Sequence, residues 1–125
     1  MLLERIGFET KAVATATIPP RRLSATDRLM RAVREIAGSL ARIVEHRETP
    51  WASITFTGTR HCLVLRFEGG DAVSDGEAFV TVLPEHEFRI HGQLVADAAI
   101  TRVDHALLPA PLLEVECEIL LLNED

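Results

Sequence analysis

Between residues 24 and 47 apolar side chains recur at Leu29, Val33, Ile36, Leu40 and Ile43. This 4-3-4-3 spacing keeps one face of an α-helix apolar for about four turns. Ser24 followed by Asp27 offers an N-terminal capping box with Asp in place of Glu, and Thr49-Pro50 demands an extended backbone beyond. The pattern predicts one long amphipathic helix over 24–47, with Leu29, Ile36 and Leu40 in the core. Ala32, Met30, Ala37, Ala41 and Val44 widen its apolar arc to roughly 180°, where a helix resting on a sheet needs about 100° or somewhat more. The surplus edge, Met30, Ala37, Ala41 and Val44, is expected to meet a C-terminal strand, the 77–83 segment or a second subunit.

Elsewhere the period is two. Residues 9–18 favour a strand that Pro19-Pro20 ends. Residues 51–57 place Ala52, Ile54 and Phe56 on one face, and 61–68 place Leu63, Leu65 and Phe67 on one face. Gly58-Thr59 between them predicts a hairpin. Residues 69–76 have loop composition, and 77–83 fit a short helix or a strand before Pro84. Residues 88–91 and 95–103 are extended around Gly92, and the Leu107-Leu108-Pro109-Ala110-Pro111 loop precedes the clearest strand. There Leu113, Val115, Cys117, Ile119 and Leu121 alternate with Glu114, Glu116 and Glu118, the signature of a half-solvated antiparallel strand. The fold class that follows is α+β: the long helix packed on a curved antiparallel sheet of five to six strands, in a single domain over 1–125.

Composition narrows the setting. The 125 residues suffice for one core, and the net charge of −6 argues against nucleic acid as a partner. The charge is uneven: seven Arg lie between 21 and 47, while 104–125 hold six acids and no Lys or Arg. The N-terminus lacks a secretory pattern and no window is apolar enough to span a bilayer, so a cytoplasmic, membrane-free protein is expected. Two cysteines, Cys62 and Cys117, are too few for a disulfide framework and fit buried free thiols.

Candidate chemistry is sparse. His86 and His91 flank Glu87, but the i+5 spacing misses the i+4 that puts two imidazoles on one helix face, and on a strand they face opposite ways. His61-Cys62 are strand neighbours on opposite faces, not a nucleophile–base pair. The Glu114, Glu116, Glu118 column is explained by cross-strand ion pairs with Arg60, Arg66, Arg89 and Arg102. Gly69, Gly70 and Gly76 fit no phosphate-loop spacing. The sequence is therefore read as carrying no metal and no cofactor.

A long helix against an antiparallel sheet ending in two long strands resembles hot-dog and cystatin-like architectures, a likeness of topology alone. It implies acyl-thioester chemistry, ligand carriage or dimerisation. The reading that follows is a non-catalytic domain that forms a homodimer or binds a protein partner. The alternative is a small-molecule site between helix and sheet, acyl-hydrolysing in its enzymatic version, with His91, Asp97 and Asp104 as its polar groups.

Overall fold

The computed structural model describes residues 23–124; the strand expected over 9–18 lies outside them. Ser24 caps the first helix, α1 (Ala25–Ala37): its hydroxyl accepts from the Asp27 N–H at 3.1 Å, and the Asp27 carboxylate accepts from the Ser24 N–H at 3.2 Å. The helix stops ten residues short of the expected end. Gly38, at φ +93°, takes a conformation that L side chains rarely adopt, and its N–H donates to the Arg34 carbonyl at 3.0 Å. Beyond it the chain runs as strand β1 (Ala41–Ala52). Leu40 and Ile43 satisfy a helical spacing, but from Ala41 onward the chain also alternates. Ala41 and Ile43 pack against the core while Arg42, paired with Arg66, lies on the other face.

This break redistributes the expected apolar arc. Leu29, Val33 and Ala37 are fully buried, Met30 and Ile36 pack partly buried against the core, and Leu40 is 51 % exposed in the turn. Leu40 is thus not a core residue. Ala41 and Val44 belong to a strand, so the half-cylinder that motivated a helix-mediated dimer does not exist.

A hairpin joins β1 to β2 (Thr57–Glu68). Its turn lies at 53–56, earlier than Gly58-Thr59: the Ser53 N–H donates to the Phe56 carbonyl at 2.8 Å, and the Phe56 N–H to the Ser53 hydroxyl at 3.1 Å. Ile54, expected on one strand face with Ala52 and Phe56, is fully exposed at the tip. The stretch 69–76 is not a loop but the start of α2 (Gly70–Val82), which also absorbs 77–82; Pro84 sits in the 3-10 turn Leu83–Glu85. Gly76 faces the sheet so closely that a Cβ there would stand 2.6 Å from Leu113 and 2.8 Å from the Phe67 ring. Strands β3 (Gln93–Ala106) and β4 (Leu112–Asn123) complete the fold.

The described residues thus hold two short helices and one four-stranded antiparallel sheet, ordered β1-β2-β4-β3. The α+β class stands; the single long helix does not, and the described residues hold four strands where five to six were expected. Leu63, Leu65 and Phe67 of β2 and Leu113, Val115, Cys117, Ile119 and Leu121 of β4 form one core with Leu29, Val33, Ala37, Ala72, Val73 and Phe79 of the helices.

The opposite sheet face carries the expected ion pairs. Arg66 reaches Glu114 at 3.0 Å, Arg60 reaches Glu118 at 3.6 Å, and Arg102 lies 3.5 Å from Glu114 and 3.8 Å from Glu116. Arg47 joins them at 3.5 Å from Glu116, whereas Arg89 pairs with Glu87 instead. Leu120 and Leu122, on this same face, are only 7 % and 6 % exposed. No helix among the described residues is long and apolar enough to cross a membrane.

Candidate metal centre

The early end of α1 places His46 and Glu48 on a strand. There, residues two apart project from the same face. In the β1–β2 register Glu48 lies opposite His61, and His46 opposite Leu63. His61 extends the row Leu63, Leu65, Phe67, so all three polar side chains stand on the core face, two on β1 and one on the inner strand β2. His61 is 2 % exposed; the His46 side chain is 20 % and that of Glu48 49 % exposed.

The three groups converge. His46 Nε2 lies 3.0 Å from His61 Nδ1, and 3.9 Å from Glu48 Oε2. The two rings are nearly parallel, 12° apart with centroids at 5.2 Å. One ligand atom from each residue falls within 4.8 Å of the other two. Two nitrogens bound tetrahedrally to one zinc at 2.0–2.1 Å would stand about 3.3 Å apart, so the observed spacing needs only small side-chain shifts to accept an ion.

Electrostatics favour the ligating form. Burial pushes the His61 imidazole below its ordinary value of 6.5; Glu48 opposes that shift and His46 adds to it. His61 is therefore neutral at neutral pH, as metal binding requires. A buried His61 and a half-exposed Glu48 give the site a closed floor and an open mouth. Two imidazoles and a carboxylate suit a borderline divalent ion such as zinc.

No sequence motif marks this trio. Read as one helix, 24–47 sets His46 and Glu48 about 200° apart and hides the group. The usable signal is His-x-Glu, which acquires meaning only once 41–52 is a strand. The expectation of no metal rests on His86 and His91, which belong elsewhere: His86 follows the 3-10 turn, edge-on to Phe88 at 4.7 Å, and His91 is exposed in the turn before β3.

The other candidate residues do not gather. Asp97 and Asp104 lie opposite Leu120 and Glu114 of β4, about 20 Å apart at the strand rise of roughly 3.3 Å per residue. Asp104 pairs with Arg102. Cys62 donates to Glu116 at 3.4 Å and accepts from Arg47 at 3.2 Å. Burial and the Glu116 carboxylate push its thiol up, and burial pushes Cys117 up to about 12. Both are held as thiols, poor nucleophiles, and both are free.

Two clefts lie away from the trio. One of about 990 Å³ runs along α1 past Met30 and Arg34, and one of about 400 Å³ lies between the 53–57 turn and Leu94. Compared with protein-family models, curated proteins and solved structures, the chain matches none.

Proposed function

We propose that this chain is a divalent-metal-binding, non-catalytic domain whose ligands are His46, Glu48 and His61. The convergence of three ligand atoms within 4.8 Å, one of them on a buried imidazole, carries the reading. Binding rather than catalysis carries over the non-catalytic reading of the sequence, in which no nucleophile–base pair is found. The two free thiols fit the cytoplasmic setting expected from the sequence. Self-association, the other expectation from the sequence, is part of the same proposal, moved from the helix to the strand that bears the ligands.

Calorimetric titration of the metal-free chain with zinc tests it. One ion per chain is the expected stoichiometry. Removing a group that merely orients a ligand typically weakens a metal site about 10–100-fold, so His61→Gln and Glu48→Ala, each removing a ligand, should weaken zinc by about 100-fold or more. Zinc binding unchanged by both substitutions would place the ion elsewhere and end this reading.

A further inference from the structure

Resting on that metal reading, the geometry points to a second copy of this chain as the source of the missing ligand, with β1 pairing against β1 across a two-fold axis. Three ligands from one chain leave a tetrahedral ion one short. Two of the three, His46 and Glu48, stand on an edge strand of the described sheet, since among the described residues β1 has only β2 as a neighbour.

The outer edge of β1 is obstructed at both ends. A bulge in the pairing of β1 with β2 between Ile43 and Glu45 makes the strand irregular there, and Pro50 supplies no N–H. Bulges and prolines are the devices that keep sheet edges from pairing. They leave free a five-residue window, 45–49, and its centre is Arg47.

An antiparallel two-fold placed at Arg47 has a fixed consequence. Residue 46 of one copy faces residue 48 of the other, and directly opposed residues share a sheet face with Cα atoms about 4.5–5.5 Å apart. His46 therefore faces Glu48 of the second copy, and the two trios become neighbours. With 49 % of its side chain exposed, Glu48 can offer one oxygen to its own ion and the other to the partner's. Each ion then has His46, His61 and two carboxylate oxygens, and the assembly binds two ions per pair of chains.

The remaining contacts suit this register. The two Arg47 side chains would meet on the opposite face, but each is already held by Glu116 at 3.5 Å. Val44, 39 % exposed, would lie beside Pro50 of the second copy. Without the ion the window is short and His46 faces only a carboxylate, so pairing depends on metal.

Light scattering on the full chain, run in parallel with the zinc titration, decides it. The mass should be that of one chain in EDTA, double at one zinc per chain, and return with added EDTA. Glu48→Ala, at an exposed position that tolerates the change, should abolish the doubling, while a His86→Ala/His91→Ala variant should retain it. One zinc bound per chain at single-chain mass overturns the pairing and leaves the metal site standing. No zinc bound at all removes the metal reading itself. A dimer of equal mass in EDTA, or doubling lost in the His86/His91 variant, also overturns the proposal.

Discussion

At the scale of single residues, the most consequential side chain is His61. It combines 2 % exposure with a neighbour imidazole at 3.0 Å. Its acidity dictates a direction for stability. Burial first, and His46 to a lesser degree, depress the folded value below 6.5, with Glu48 opposing. Between the depressed value and 6.5 the unfolded chain binds more protons than the folded one, so stability rises with pH across that window. The contribution is complete above the unfolded value and is lost as pH falls from about 6.5 toward the folded value. Urea melts of the metal-free chain should give a lower midpoint at pH 5.5 than at 7.5. His61→Gln should flatten that difference; a variant with an equal pH slope would remove His61 as its source. Protons and metal compete for the same ring nitrogen, so zinc affinity should decline over the same range.

At the scale of elements, the decisive feature is the stop at Gly38. Leu29 lies before it and is fully buried; Leu40 lies after it and is 51 % exposed. Leu29→Ala should cost about 2–5 kcal/mol through lost burial and a cavity, whereas Leu40→Ala should stay within about 0.5 kcal/mol. Chemical melts of the two variants check this; equal losses would restore a single helix through residue 40. The same residues show how far the sequence was legible. The capping box at Ser24 and Asp27, the alternation of β4, the Leu63, Leu65 and Phe67 face and most of the Glu–Arg pairs follow from local rules, and the structure carries them. The helix end was hidden because Leu40 and Ile43 complete a helical period while Ala41 and Ile43 also begin a strand. Gly38, just ahead of both patterns, ends the helix. The candidate site was illegible for that reason and one more: His46 and Glu48 share a face only on a strand, and the pairing of Glu48 with His61 is set by a turn at 53–56 rather than at Gly58.

At the scale of the whole molecule, two helices share one sheet face and an ionic lattice holds the other. The helical layer can approach closely because Gly76 has no side chain. Alanine there would gain roughly 1 kcal/mol of helix propensity. Its methyl, however, would meet Phe67 and Leu113 at 2.8 and 2.6 Å, and both of those are buried to within 2 %. Overpacking of this kind costs about 1–3 kcal/mol, so set against that gain Gly76→Ala should lose up to about 2 kcal/mol in a urea melt. A raised midpoint would mean that α2 can lift from the sheet. On the lattice side, Glu116 meets Arg47, Arg102, Thr101 and Cys62, so that face is crossed by interlocking partners from all four strands.

The strand order has a consequence for how the chain comes together in time. β1 and β2 form one hairpin, β3 and β4 another, and the last strand made is the one that lies between β2 and β3. The seam joining the hairpins pairs Thr59 with Leu121 and Phe67 with Leu113, partners 62 and 46 residues apart. During synthesis, the inner edge of β2 therefore has no mate until residues 112–123 emerge. Closing that seam is a long-range step, whose loop-closure entropy is spent before its contacts return anything.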